Sequence, residues 1–224
     1  MKIIAISQAR LNSTRCKHKM IRPFDNTTLV EIAVKRLLEL ENFSGVYFGA
    51  YDNQLLDIAY NYLPDSYVIK RSKEMANSED MILSYSWIKE LDFDYCMWIN
   101  CCHAHLRAKT LNSACSEFKK LKCKSMTSVK KYKTGFYNHD SNPINHDKPF
   151  IRTQDVTPIY GIANAFHIFE KKHFFHKRNY WNNEYMDPYL YEVDEIEALD
   201  VDSENEFLIS ESVYKIRKLS LIHI

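Results

Sequence analysis

The chain has 224 residues, of which 46% are hydrophobic and 26% are charged, a composition typical of a globular protein with one sizeable core. Its 30 basic and 29 acidic residues leave a net charge of +1, which argues against nucleic-acid or membrane-surface binding. The apolar run at 2–7 is too short for a secretory or membrane-spanning segment, so we expect a cytoplasmic protein without membrane insertion. The six cysteines form no C-x-x-C pair, and we expect them to be reduced thiols.

Apolar periodicity predicts strands and helices that alternate over the first 130 residues. The predicted strands are 2–7, 45–50, 66–70, 93–99 and 125–129, and the predicted helices are 29–40, 53–62, 75–91 and 107–120. This order predicts an α/β fold with a mostly parallel sheet and crossover helices on its faces. Ligands bind beyond the carboxyl ends of the strands in such sheets, so the site is expected in the loops at 8–22, 51–53, 71–75 and 100–107.

The chain changes character at residue 131. Residues 131–158 are polar and indicate an excursion from the core, whereas 159–169 predict another strand. Residues 204–219 predict a C-terminal helix with acidic residues early and basic residues late, as the helix dipole favours. We expect one domain over 1–224. Only four glycines are present, so Asn and Asp must supply part of the turns.

The loop after the first strand is the most basic part of the chain. It contains Arg10, Arg15, Lys17, Lys19 and Arg22, with hydroxyl groups from Ser13 and Thr14. Fixed cations and backbone N–H groups in such a loop can bind an anion such as a triphosphate. Charge and spacing alone fit a solvated basic loop equally well, and the G-x-x-x-x-G-K-[S/T] pattern of a P-loop is missing.

This loop resembles the signature A-R-x-x-S-(K/T)-x-x-x-x-K of nucleotide-sugar cytidylyltransferases. The residues that match in register are Ala9, Arg10, Ser13, Thr14 and Lys19. Thr14-Arg15 is also similar to the spore-coat polysaccharide branch of that superfamily. Lys17 and His18 stand where the family often has Pro-Gly. Asn12 replaces a common Gly, although Asn tolerates a left-handed backbone.

A second motif lies near the C-terminus, where Asp200 and Asp202 are two residues apart. On a strand they would point to the same side and could hold Mg²⁺ while it bridges phosphate oxygens. Such a pair in an acidic stretch is more often simply solvated. The segment 197–202 resembles the E-(A/S)-(I/L)-D-I-D motif of acylneuraminate cytidylyltransferases, and this resemblance implies that both aspartates bind Mg²⁺.

A third segment, 152–166, resembles the same family's R-x-Q-D-L-x-P-x-Y…N-G-A-F pattern. The resemblance implies that this segment borders an acidic sugar, through Arg152, Gln154, Asp155, Tyr160 and Asn164. Gly161 stands where many members have Arg, and Ala163-Asn164 replaces Asn-Gly. From the residues alone, turn and capping roles would be favoured for Gln154 and Asp155.

Two further segments are expected near the nucleotide. Arg71 follows a predicted strand in a segment similar to the family's R-P-x-x-L-A, and the other interpretation is a surface ion pair. The stretch 100–107 stands where the family has P-T-S-P-L-R, with both prolines missing and His103 near the usual Ser. Asn100, Cys102 and Arg107 are still expected at the site, with Asn100 and Cys102 in contact with the nucleotide.

A zinc site at Cys101, Cys102, His103 and His105 is disfavoured. Adjacent residues rarely converge on one tetrahedral ion, and no second ligand pair has the usual spacing. A cysteine nucleophile is likewise unsupported, because no activating base can be identified.

The resemblance spans residues 2–214 and implies a nucleotide-diphosphosugar transferase fold of Rossmann-like type. The implied reaction transfers CMP from CTP to a nonulosonic acid such as sialic, legionaminic or pseudaminic acid, with Mg²⁺, for surface-glycan synthesis. Catalysis is assigned to Arg10, Lys19 and Asp202, and nucleotide binding to Arg10, Ser13, Thr14, Arg15, Lys19, Arg71, Asn100 and Cys102. A homodimer built with the arm at 131–165 is also implied. Two alternatives stay open: a nucleotidyltransferase for another base or acceptor, and a catalytically silent binding or assembly protein.

Overall fold

The computed structural model describes residues 1–146 and 152–222, with side chains described up to residue 218. The strands are β1 (Ile3–Ala9), β2 (Gly45–Ala50), β3 (Val68–Lys70), β4 (Tyr95–Ile99), β5 (Met126–Tyr132), β6 (Ile159–Glu170) and β7 (Tyr189–Glu192). The helices are α1 (Leu29–Leu38), α2 (Asn53–Tyr60), α3 (Lys73–Asn77), α4 (Met81–Tyr85), α5 (Ala108–Leu121), α6 (Lys171–Lys177) and α7 (Glu204–Ile222). None of these helices, over the described residues, is long and apolar enough to cross a membrane.

The strands form one seven-stranded sheet in the order β3-β2-β1-β4-β6-β5-β7. β1 pairs in parallel with β2 and β4, β2 pairs in parallel with β3, and β5 pairs in parallel with β7. Only β6 runs against its neighbours β4 and β5. The expected mostly parallel α/β sheet is therefore confirmed, and the carboxyl ends of β1 and β4 lie side by side.

The core has one layer on each face of the sheet, because alternate residues of a strand point to opposite faces. Ile3 and Ala5 of β1 pack into the larger layer, against the apolar sides of α1 and α5. Ile4 and Ile6 pack into the smaller layer, which contains Trp87.

The predicted helix over 75–91 is wrong in its extent, because two capping residues divide the segment. Ser72 accepts a hydrogen bond from the Met75 N–H and begins α3. Asp80 accepts from the N–H groups of Ile82 and Leu83 and begins α4. A 3-10 turn at Ser86–Ile88 then completes the segment. A capping side chain that bonds the N–H groups ahead of it starts a new helix rather than continuing the old one.

The polar segment after β5 leaves the sheet as expected. Its first part is a small exposed hairpin in which Tyr137 pairs with Pro143, and the Ile144 N–H donates to the Phe136 carbonyl. A 3-10 turn at Thr153–Asp155 leads back to β6. The role of this arm in a dimer stays a prediction.

Residues other than glycine, most of them polar, supply the left-handed backbone conformations, as the scarcity of glycine predicts. No glycine among the described residues has a positive φ. The residues with positive φ are His18, Asp25, Asn42, Lys122, Ser141, Asn164, Arg178, Asn183 and Met186. Asn12 does not belong to this set, so the left-handed turn of the first loop lies at His18 instead, where φ is 54°.

Candidate active site

The basic loop after β1 is joined to the segment before α7 by one nearly buried lysine. The Lys19 ammonium donates to the Val201 carbonyl oxygen at 2.6 Å and to Asp202 Oδ1 at 3.0 Å. Its side chain is only 10% exposed. The two most distant motifs of the sequence thus meet at one point, next to the carboxyl ends of β1 and β4.

Asp202 is held by two cations of the same loop. Its second oxygen, Oδ2, lies 2.9 Å from the Arg15 guanidinium. Burial by itself would raise the pKa of Asp202, but the hydrogen bonds and charges of Lys19 and Arg15 outweigh it and lower the pKa. Asp202 is therefore ionised at neutral pH and fixes the position of both cations.

Asp200 has the opposite environment. Its Oδ1 atom is buried and has no hydrogen-bond partner among the described residues. Burial, together with the neighbouring Asp202 charge, raises the pKa of Asp200 to about 6. A carboxylate with a perturbed pKa beside a second carboxylate is a candidate for binding a further cation.

The donor set at Asp200 fits Mg²⁺. Carboxylate oxygens are its preferred protein ligands, and in nucleotide sites one or two carboxylates suffice because phosphates and water complete the shell. Over residues 1–146 and 152–222, no group of three or more His, Cys, Asp or Glu side chains could hold a metal ion by itself. A magnesium ion here would thus depend on the phosphates of a bound nucleotide.

The start of the basic loop is anchored to the neighbouring strand. The Leu11 N–H donates to Asp52 Oδ2 at 3.1 Å, directly after β2. A cavity of about 300 Å³ opens beside this contact, lined by Leu11, Tyr51, Asp52, Asn53, Gln54 and Lys70. Arg10 and Thr14 are exposed, and Ser13 is half-buried. Within the described residues, Arg10 forms no hydrogen bond or ion pair, so its guanidinium is available to a phosphate.

The loop after β4 forms the adjacent wall of the site, and its polar groups are largely used within the protein. Asn100 donates to the Asn164 carbonyl at 3.1 Å and accepts from the Cys102 N–H at 3.0 Å. Burial raises the pKa of Cys102 to about 11, so its thiol is neutral and a poor nucleophile. The Arg36 guanidinium of α1 donates to the His103 carbonyl at 2.5 Å. This buried arginine holds the loop against the core.

Arg71 is buried rather than forming a surface ion pair. Its Nη2 group donates to the carbonyl oxygens of Met75 and Ser84, at 2.8 and 2.9 Å, and to the Ser84 hydroxyl. Burial lowers its pKa to about 10, which still leaves it charged. The ion-pair interpretation is therefore wrong, and contact with a nucleotide stays a prediction.

The family model described as cytidylyltransferase matches residues 4–217, nearly the whole chain. The chain belongs to the cytidylyltransferase family. No curated protein sequence matches it significantly.

Solved structures of cytidylyltransferases have the same fold. CMP:2-keto-3-deoxy-manno-octonic acid synthetase complexed with CTP is 10% identical, with a TM-score of 0.65 and 100% of both chains covered. The 4-diphosphocytidyl-2C-methyl-D-erythritol synthase from Anaerococcus prevotii is 10% identical, with a TM-score of 0.64 and 96% of each chain covered. A cytidylyltransferase from Leptospira borgpetersenii is 18% identical, with a TM-score of 0.59, over 95% of this chain and 86% of the other. These likenesses confirm the expected α/β nucleotidyltransferase fold.

Four of the residues expected at the sugar in this cytidylyltransferase lie in the turn before β6 or at the start of β6: Arg152, Gln154, Asp155 and Tyr160. Arg152 forms an ion pair with Asp155, at 3.0 Å, and the Gln154 carbonyl accepts from Lys133. The Tyr160 side chain is 42% exposed. Their contact with an acceptor stays a prediction.

Asn164 connects this segment with the site. It has a φ of 57°, at the position where the sequence pattern has glycine. Its carbonyl oxygen is the acceptor for Asn100 described above, and its Oδ1 atom lies 3.0 Å from His167 Nε2. The side chain of Asn164 is therefore used within the protein, and its backbone bend brings β6 to the wall of the site.

Two residues of the site were given no role from the sequence. Glu197, the first residue of the E-A-L-D-V-D segment, is buried and accepts hydrogen bonds from Arg107 and Thr110 at the start of α5. His103 lies beside Asp200, with Nδ1 4.0 Å from Oδ1. The position of Glu197 in a matched motif could have predicted a structural role for it. The contact between His103 and Asp200 depends on the tertiary fold and has no such signal in the sequence.

Proposed function

We propose that this cytidylyltransferase transfers CMP from CTP to an acidic sugar of the nonulosonic class and releases pyrophosphate. One observation carries the proposal: Lys19 and Arg15 flank Asp202, and the adjacent Asp200 has a free carboxylate oxygen. This combination of cations and carboxylates is suited to a nucleoside triphosphate with its magnesium ion. The family gives the nucleotide as CTP.

The proposed division of labour follows from the charges. Arg10, Arg15 and Lys19 attract the phosphates and neutralise the pyrophosphate as it leaves, helped by Ser13 and Thr14. Asp200 and Asp202 would hold a magnesium ion, which would supply Lewis-acid stabilisation of the phosphoryl oxygens. Asp202 also keeps Lys19 and Arg15 in position through its two oxygens. Catalysis then depends on positioning and electrostatics rather than on a covalent enzyme intermediate.

The bond changes are those of a substitution at phosphorus. An oxygen of the acceptor's anomeric hydroxyl attacks the α-phosphorus of CTP, the bond to the pyrophosphate oxygen breaks, and the hydroxyl proton is released to a base or to water. The acidic acceptor is supported by the resemblance of 152–166 to acylneuraminate cytidylyltransferases. The name of the octonic acid synthetase, a structural neighbour, also denotes an acidic sugar.

Pyrophosphate release in the presence of Mg²⁺, CTP and a panel of nonulosonic acids tests the proposal. ATP, GTP and UTP serve as competing nucleotides, and we expect turnover with CTP alone. The Asp200→Ala, Asp202→Ala double variant should lose at least a hundredfold in kcat/KM. The matched control is Asp92→Ala. The Asp92 side chain is 83% exposed and pairs with Lys2, before the amino ends of β4 and β1, whereas the site lies beyond their carboxyl ends. No turnover with any nucleotide and acceptor would favour a silent binding protein instead.

We also propose that the protein forms a homodimer through the arm at 131–165. Exposed apolar side chains support this, because Tyr137, Ile144 and Ile162 are 60%, 58% and 59% exposed. Size-exclusion chromatography coupled to light scattering should give twice the mass of one chain. An Ile162→Glu variant should shift the mass toward that of one chain, and an unshifted dimer mass in that variant would contradict this interface.

A further inference from the structure

His103 is a fully buried side chain at the wall of the site, with a relative exposure of 0%. Its Nε2 atom lies 3.0 Å from the Ala163 carbonyl oxygen. A carbonyl oxygen only accepts, so Nε2 must carry the proton. In a neutral imidazole this leaves Nδ1 with a lone pair and no proton. The tautomer of His103 is thus fixed by β6.

The free Nδ1 atom faces the free oxygen of Asp200. Both atoms are buried without a hydrogen-bond partner among the described residues, and they are 4.0 Å apart. Both are acceptors, so they cannot bond to each other, and buried polar atoms without a partner are rare in folded proteins. A single oxygen about 2.8 Å from each of them, the usual O–H···acceptor length, fits this separation.

The surroundings of His103 keep it neutral. The groups that act on it electrostatically are Arg36, Asp202, His105 and Lys19. A charged imidazole would donate through both nitrogen atoms, but the fully buried Nδ1 atom has no acceptor within hydrogen-bond distance among the described residues, so the ring is neutral. Mg²⁺ prefers oxygen ligands to imidazole nitrogen, so Asp200 is suited to hold the ion and His103 to accept a hydrogen bond.

We propose that His103 is a positioning residue whose Nδ1 accepts a hydrogen bond from an O–H group bound at Asp200. This rests on the proposed function, which would supply two O–H donors there: a water molecule that completes the shell of a bound magnesium ion, and the hydroxyl of the acceptor sugar. In both cases His103 would orient a group that takes part in the reaction.

Two substitutions separate the two nitrogen atoms of the ring. His103→Gln can still donate to the Ala163 carbonyl through its amide but has no acceptor at the Nδ1 position. His103→Asn can present an amide oxygen near that position but does not reach Ala163. Thermal unfolding identifies any variant that has simply lost its fold.

The first possibility, a water molecule on the metal ion, is tested by Mn²⁺ binding in the presence of CTP and the absence of the sugar. Electron paramagnetic resonance measures this binding. Removal of a residue that hydrogen-bonds to a metal ligand typically weakens metal binding by about 10–100-fold. We expect His103→Gln to weaken Mn²⁺ binding by at least tenfold and His103→Asn by less than about threefold. Unchanged Mn²⁺ binding with an acceptor KM raised tenfold in His103→Gln would identify the sugar hydroxyl as the donor. Unchanged values of both would overturn the proposal.

Nitrogen NMR of the wild-type imidazoles provides a readout that needs no variant. The His103 resonances should report the Nε2–H tautomer, and the Nδ1 signal should shift on addition of Mg²⁺ and CTP or of the acceptor. The opposite tautomer would overturn the inference while leaving the proposed function standing. Wild-type protein that neither binds Mn²⁺ with CTP nor turns over would instead overturn the proposed function, and this inference with it.

Discussion

Replacing Asp200 by asparagine removes a carboxylate charge that the metal-free protein holds in an unfavourable place. The Asp200 side chain is mostly buried, its Oδ1 atom has no partner among the described residues, and the Asp202 charge is close. Asparagine has nearly the same shape and no charge. We therefore expect the Asp200→Asn variant to be more stable than the wild type in the absence of metal, although it should be inactive.

The magnitude follows from the pKa of Asp200, which burial and Asp202 raise from 3.8 to about 6. Each pKa unit corresponds to about 1.4 kcal/mol, so the penalty at neutral pH is at most about 3 kcal/mol. The side chain is 26% exposed, and solvent relieves part of this penalty. We expect a gain of about 1–2 kcal/mol, or roughly 2–8 °C in Tm for a chain of this size.

The pH dependence has a definite sign. A carboxyl group with a raised pKa in the folded state stabilises the fold fully below pH 3.8, and this contribution is lost as the pH rises through 6. The gain from Asp200→Asn should therefore be largest above pH 7 and about half as large at pH 5. Thermal unfolding in EDTA at both pH values measures it.

Asp202→Asn is the matched control, because the pKa of Asp202 is lowered and its two oxygens are paired with Lys19 and Arg15. It should lower the Tm under conditions where Asp200→Asn raises it. A Tm of Asp200→Asn equal to or below that of the wild type at pH 7.5 would refute the claim that Asp200 is a strained, unpaired charge.

Three further predictions concern the loops around the site. His18→Gly should raise the free energy of unfolding by about 0.5–1 kcal/mol, because glycine adopts the left-handed φ of 54° without steric cost; a lower denaturant midpoint would contradict this. Lys19→Met should lower the free energy of unfolding by about 2 kcal/mol and raise the KM for CTP, since the Val201 carbonyl and Asp202 lose their shared donor. A variant with the stability and the KM of the wild type would contradict the role given to Lys19. Glu197→Gln should cost about 1–2 kcal/mol in urea unfolding, with little change in the KM for CTP, because the start of α5 loses a charged acceptor; unchanged stability would show that the cap is dispensable.

The sheet was predictable because each strand carries its own signal. Short apolar runs at regular spacing identify β1 to β6, and their alternation with helices indicates parallel pairing. β7 and α6 were not predicted. Residues 189–192 alternate between half-buried and exposed side chains, and α6 has only seven residues, so neither pattern is long enough to stand out.

The site was predictable where two local motifs carry the chemistry, and not where the fold creates a contact. The meeting of Lys19 with Asp202 follows from the two motifs and the position of their loops. The left-handed backbone at His18 could be located only in the structure, because histidine gives no sequence signal for it. The facing of His103 and Asp200 depends on how β4, β6 and the segment before α7 pack together.

The central claim is the transfer of CMP from CTP to a sugar hydroxyl. It is tested most directly by the number of phosphorus atoms that link cytidine to the sugar in the product. We predict a product with one phosphorus atom between cytidine and sugar, seen as a single ³¹P resonance besides pyrophosphate, because a sugar hydroxyl attacks the α-phosphorus. A diphosphate-linked product with two coupled resonances would contradict the account, since it would require an acceptor that already carries a phosphate.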